Sequence, residues 1–494
     1  MLTSIETLTP FAKPPRHVVH REAEWKIIDS EITKRISEPF QSKSVIALYG
    51  TAGIGKTTFL QETLSPRIKE KYSNLPFARI DFDKELVDRR YDVEQRGNIL
   101  VDLALELEKS SGLSSEGDSI RRRWEKAISK TTGRKKFEQI ESELISNFLE
   151  YVSFLSSKHG KRPIIFVLDS AEQADRDVVG WVQEKIQGPT TDSGFVIWIM
   201  ASRQLLDCQP FFLRPRYFWL PLEPFTEQQT RAQIPEHPEL VNSVQMFSFG
   251  LPAATTKLAD AILEIEKENQ KTLASPDLEE RQVKERLILS LEDLLKLKHY
   301  FGQTENQYLS HALEILSPLR LFNVAVVTEL LPKWLPESFK PATIGADALY
   351  EIQKMVQTRL VSWDRSRRGY VFEEPLRQIV ALILKYRQPE QYIEIQKWAA
   401  DRYRDWAKNV ETKRLDYIVE ALYHKLNVLL IEKDARPVDK LISALEKMVE
   451  GIQGKDELNE LKEQLESDRD FINLLNLEEM KRLLLSLNSS SKSS

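Results

Sequence analysis

Residues 50–58 read GTAGIGKTT, directly after the apolar run VIALY. The stretch matches G-x-x-x-x-G-K-[ST] with Gly50, Gly55, Lys56 and Thr57. Glycines let the backbone take positive φ and bring its N–H groups up to an anion. Thr51, Ala52, Gly53, Ile54 and Thr58 complete the loop, and their backbone is expected to line the same cradle. The helix that follows points its positive end at the phosphates. Lys56 can reach β- and γ-phosphate oxygens, and the Thr57 hydroxyl can ligate Mg²⁺. The expected cofactors are therefore ATP or ADP with Mg²⁺. Such a loop needs a strand before it and a helix after it, and VIALY and TFLQETLSPRIKEKY read as those two elements.

Further short apolar runs, PFARIDFD, PIIFVLD and GFVIWIMASR, alternate with helical patterns such as NILVDLALELEKS. That alternation predicts a parallel α/β sheet covered on both faces. Asp169 ends the run IIFVLD, where a carboxylate can hold Mg²⁺. Hydrolysis needs a group to orient or deprotonate water, and Ser170 cannot act as a carboxylate base. Glu172 is the candidate; an equally good reading makes it a solvated acid in a helix's first turn. Arg203 follows the fourth run and should emerge at the same carboxyl edge of the sheet. A guanidinium there can distinguish ATP from ADP by its γ-phosphate.

The remainder of the chain changes character. After about residue 205 it is mostly helical in pattern, except for LVSWDRSRRGYVFEEP, two β-like runs around a charged turn. Three helical patterns followed by such a hairpin predict a winged helix. Its turn carries Arg365, Arg367 and Arg368, and a basic wing can reach a backbone phosphate. The basic runs within 121–137 read as a solvated helix face. The net charge of −5, with 29% charged residues of both signs, excludes a general nucleic-acid or anionic-membrane binder. One cysteine, Cys208, excludes an intrachain disulfide and a Cys-rich zinc site and fits a reducing cytoplasm. No apolar run approaches the roughly 20 residues of a spanning helix, so no membrane is expected.

In order, these motifs resemble the STAND class of signal-transduction ATPases, which includes the NB-ARC and NACHT groups. VHRE at 19–22 is similar to the segment before the P-loop in that class, which implies that Val19 and Arg21 lie near the adenine. VIWIMASR resembles the strand whose arginine senses the γ-phosphate, here Arg203. FGLPAATTKLA resembles the G-L-P motif, whose proline, here Pro252, packs against the adenine. The class's M-H-D motif aligns with Phe372-Glu373-Glu374, and a glutamate cannot donate to phosphate unless protonated.

The resemblance implies an N-terminal segment (1–44), a P-loop ATPase domain (45–205), a helical domain (206–304), a winged helix (305–388), a C-terminal helical, TPR-like region (389–485) and a disordered tail (486–494). The implied function is a nucleotide-dependent switch that hydrolyses ATP slowly and signals by oligomerising or by recruiting a separate effector or sensor. Two alternatives stand beside it. One is an AAA+ initiator-like ATPase that uses its winged helix on DNA; the other is an ATP-binding scaffold without turnover.

Overall fold

In a computed structural model of the chain, the described residues are 17–38, 42–85, 93–112, 122, 126, 134–160, 162–174, 176–192, 195–208, 210–296, 307–336, 346–365, 367–450, 452 and 454–490. Most of the basic stretch at 121–137 lies outside them. The chain forms two compact units, Met1–Glu279 and Glu280–Ser494.

The first unit opens with helix α1 (Glu22–Ser37) and strand β1 (Val45–Tyr49). A helical run follows the P-loop: Lys56–Thr58, a π-helical stretch Phe59–Leu64, and Ser65–Lys71, together α2. Then come β2 (Phe77–Asp81), α3 (Val93–Ser111), α4 (Arg134–Lys158) and β3 (Ile164–Asp169). The run Arg176–Trp181, Val182–Gln187 and Gly188–Asp192 forms α5, and β4 (Val196–Ser202) and β5 (Tyr217–Pro221) complete the sheet.

All five strands are parallel, in the order β2-β3-β4-β1-β5. β1 is thus interior, while β2, next in the chain, forms an edge beyond β4 and β3. The P-loop leaves β1 at this topological switch, where open α/β sheets bind ligands. Every residue of β3 and β4 is buried, as a sheet covered on both faces requires. Phe166 stacks on Trp198 with ring centroids 4.4 Å apart, and Phe148 of α4 and Leu103 and Leu107 of α3 belong to the same core. On α1, Trp25, Ile28 and Ile32 are buried as their spacing predicts. Ile36, on the same stripe, is 40% exposed. Arg35 is buried instead, and its guanidinium donates to the Thr191 carbonyl.

The unit ends in helices α6 (Glu227–Gln233), α7 (Val241–Ser248) and α8 (Pro252–Asn269). Thr226 and Gln229 form a reciprocal capping box that starts α6.

The second unit begins with α9 (Arg281–Leu295). Helices α10 (Gln307–Leu316), α11 (Val324–Trp334) and α12 (Ala346–Gln357) precede the hairpin of β6 (Val361–Asp364) and β7 (Gly369–Phe372). Phe322 adds a bridge to Tyr370, exchanging both backbone hydrogen bonds with it. This is a winged helix. It is followed by α13 (Glu374–Arg387), α14 (Pro389–Asn409), α15 (Arg414–Ile431), α16 (Pro437–Val449), α17 (Lys455–Ser467), α18 (Arg469–Leu474) and α19 (Leu477–Ser490). The polar composition from 486 onward does not end α19, which continues to Ser490 with Leu487 buried. No helix among the described residues is long and apolar enough to cross a membrane.

A dense charge cluster ties the winged helix to the helices after it. Arg320, between α10 and α11, donates to both carboxylate oxygens of Glu420 on α15, at 3.1 and 3.2 Å. Its other amino group meets Asp468 at 2.7 Å and Asp470 at 3.3 Å, and the guanidinium lies 4.1 Å over the Tyr423 ring. Arg367 at the wing turn also donates to Glu420, and Lys413 caps the Arg368 carbonyl. Arg377 is held by Glu374 and the Ser317 carbonyl. Burial works to raise the Glu420 carboxyl, but Arg320 and Arg367 outweigh it and hold it below the usual range. Burial, with Arg320 and Arg377 nearby, pushes His424 well below the usual imidazole range.

Candidate nucleotide site

The carboxyl edge of the sheet gathers the P-loop residues Gly55, Lys56 and Thr57 with Asp169, Glu172 and Arg203. Gly55 sits at φ 89°, a conformation that favours glycine, and hands the chain into α2 at Lys56. The Lys56 ammonium donates to the Gly50 carbonyl at 2.6 Å and the Thr51 carbonyl at 3.1 Å. Thr57 Oγ1 lies 3.3 Å from Asp169 Oδ1. β1 and β3 are separated by β4, so these two oxygens meet only because the P-loop turns back across the sheet edge.

Asp169 is fully buried. Its Oδ1 also accepts from the Ser170 amide, and its Oδ2 accepts from Arg79 on β2 at 2.8 Å. Asp81 ends β2 in register with Asp169, 4.0 Å from the Arg79 guanidinium. Burial, and then the Asp81 charge, push the Asp169 carboxyl up to about 6; Arg79 offsets only part of this. Glu172 stands on a 3₁₀ turn (Ala171–Gln173) entered through Ser170, which has φ 55°. Its Oε1 lies 3.4 Å from Arg203 Nε, and the two side chains are 11% and 9% exposed. Glu172 Oε2 is buried with no hydrogen-bond partner from the chain.

Arg79 and Asp81 were not anticipated. In the sequence FARIDFD reads only as one of the buried strands. The signal was there: a cation and an acid two residues apart at the end of a buried strand lie on one face.

Both flanks of the core reach the P-loop. Arg21, at φ 41° and buried, donates to the Ile54 carbonyl at 2.7 Å and to the Glu223 carbonyl at 3.1 Å. It also pairs with Glu24 and covers the Phe225 ring at 4.8 Å. Its guanidinium is thus engaged with the protein. Val19, two residues earlier, is half-buried. From the other flank, the Ala253 amide donates to the Gly53 carbonyl at 3.2 Å. Pro252 is buried at the first turn of α8. Gly250 before it has φ 71°, and a side chain there would meet the Phe225 carbonyl at 2.5 Å.

Positive-φ glycines, a lysine at the loop mouth, and a hydroxyl and a carboxylate oxygen 3.3 Å apart that can share one hard cation fit a magnesium-bound nucleoside triphosphate or diphosphate. This is an α/β P-loop fold.

No protein-family model matches the chain, and no curated protein does. Solved structures do resemble it. Cdc6p from Pyrobaculum aerophilum is 13% identical over 78% of this chain and 97% of that one, with a TM-score of 0.37. ORC2 of Aeropyrum pernix, in ADPNP–ADP complexes, is 11% identical over 76% and 97%, with a TM-score of 0.44. ORC1 of the same organism, in complex with DNA, is 14% identical over 76% and 94%, with a TM-score of 0.39. With these scores below 0.5, the chemistry is read from this chain's own residues.

Proposed function

We propose that the chain is a nucleotide-controlled switch that binds ATP or ADP with Mg²⁺, turns ATP over slowly, and changes its assembly with the nucleotide held. The carrying observation is the double tie on the P-loop. Arg21 grips Ile54 and Ala253 grips Gly53, from segments more than two hundred residues apart. A seat built this way couples phosphate binding to the packing of both flanks, which suits a switch in the manner of the STAND class.

In this reading the chain's own residues take the following roles. Lys56, which now donates to the Gly50 and Thr51 carbonyls, would hold phosphate oxygens. Thr57 and Asp169 would hold the metal, and Arg79 keeps the Asp169 carboxylate turned toward Thr57. Glu172 offers an unpartnered oxygen to a water. Magnesium, when bound, supplies the charge that offsets the phosphates. Val19 and Pro252 are assigned to the adenine side, with Arg21 as the brace behind it.

A second reading, an initiator-like ATPase acting on DNA, is favoured by Arg365 and Arg368, both exposed at the wing turn. Two observations weigh the other way. Arg367 is taken up by Glu420. Helix α12 turns Leu349, Tyr350 and Val356 outward, and its Lys354 is paired with Glu351.

Mass photometry with ADP, with a non-hydrolysable ATP analogue and without nucleotide separates the readings. The switch predicts a larger assembly with the analogue; a monomer throughout sinks it. Salt-dependent DNA affinity that falls in Arg365→Glu/Arg368→Glu establishes the second reading instead.

A further inference from the structure

Glu172 and Arg203 leave neighbouring strands, just past the ends of β3 and β4, and reach each other at the carboxyl edge of the sheet. The contact is an ion pair at 3.4 Å, longer than the 2.7–2.9 Å of a good charge-assisted hydrogen bond. Both side chains are almost fully withdrawn from solvent. Glu172 therefore has one oxygen facing a cation and the other buried without a donor. A buried acceptor in that state is a place for a water.

We propose that Arg203 is shared between two anions: it holds Glu172 while no γ-phosphate is present, and is drawn off to the γ-phosphate when ATP binds. The inference rests on the P-loop accepting ATP, as proposed above. Arg203 is the positioning residue here. With Arg203 on it, Glu172 is a carboxylate whose charge is already answered. With Arg203 withdrawn, both Glu172 oxygens accept from water, so arrival of a triphosphate arms the base. ADP carries no group to draw Arg203 away and leaves the pair closed. The pair thus acts as a latch against activating water when there is nothing to hydrolyse, and it opposes ATP more than ADP.

The opposition can be measured without turnover. Dissociation constants for Mg-ADP and for a magnesium-bound non-hydrolysable ATP analogue are determined by calorimetry on the full chain. The set comprises wild type, Glu172→Gln, Arg203→Gln and the double variant. Removing the Glu172 charge should raise the preference for the analogue over ADP by about tenfold, a coupling within the range of contacting charged pairs. That gain should vanish in the Arg203→Gln background. An equal gain in both backgrounds would mean simple relief of repulsion between carboxylate and phosphate, and would overturn the proposal, as would no gain at all. Should Arg203→Gln fail to fold, Arg203→Lys serves: it keeps a charge but not the fork, and about half of the gain should persist. Failure of the underlying reading has a different signature: wild type binds neither nucleotide, or Lys56→Ala binds both as well as wild type.

Discussion

Among the described residues, each unit buries a cluster of charge, and the two are built to opposite rules. In the second unit, Arg320, Glu420, Asp468, Asp470, Arg367, Arg377 and Glu374 answer one another in a closed network. At the sheet edge of the first unit, burial and Asp81 push the Asp169 carboxyl up to about 6, Arg79 Nε has no partner, and Glu172 Oε2 has none. A closed network rigidifies and specifies a fold, whereas buried groups left open cost stability and persist where chemistry uses them. Charge density alone therefore does not mark a site.

The sharpest way to break this contrast is to open the closed network. Arg320→Met leaves Glu420, Asp468 and Asp470 facing one another without their shared cation. Urea denaturation should report a loss of about 3–5 kcal/mol, and hydrogen exchange should rise in α13–α15 while β1–β5 stay protected. A loss under 1 kcal/mol would show that the network is not what joins these helices.

Lys56→Ala should do the reverse. Mg-nucleotide affinity falls about 10- to 100-fold, the value of one charge-assisted contact, and stability barely moves; calorimetry and a melt test both halves.

A smaller effect distinguishes the two clusters by pH. The folded Asp169 carboxyl is raised to about 6, well above the usual aspartate range. A carboxyl raised on folding destabilises the native state fully above its folded value, and that loss is recovered as pH falls from about 6 toward 4. Without magnesium, wild type should gain melting temperature relative to Asp169→Asn between pH 7 and pH 5. A constant difference would show that Asp169 is already paired as well as Glu420 is.

The smallest expected change is for Glu172→Gln, a loss of about 1 kcal/mol by urea titration, because the amide keeps an acceptor beside Arg203 but not the charge. A large loss would move Glu172 from the site into the scaffold.

Much of the first unit was legible in the sequence because its information is local. Buried strands are continuous apolar runs, and Asp169 and Arg203 follow such runs directly. The P-loop states its backbone geometry in its glycines. What was not legible depends on pairs far apart in the chain. Arg320 and Glu420 are separated by 100 residues, and Arg320 and Asp468 by 148, so each reads as an ordinary surface charge. Arg79 is disguised by strand alternation. Arg35 takes a buried place that helical phase offers to Ile36, because its long stem can bring a guanidinium to the Thr191 carbonyl.

The ties on the P-loop also bear on synthesis. The loop is translated at residues 50–58, yet β1 gains its partners β4 and β5 only at 196–221, and the Gly53 carbonyl meets its donor only at Ala253. A nascent chain shorter than this holds the loop's letters without its shape. Ribosome-bound chains should therefore acquire nucleotide binding abruptly, once residues beyond 253 have cleared the exit tunnel, rather than gradually as the core lengthens.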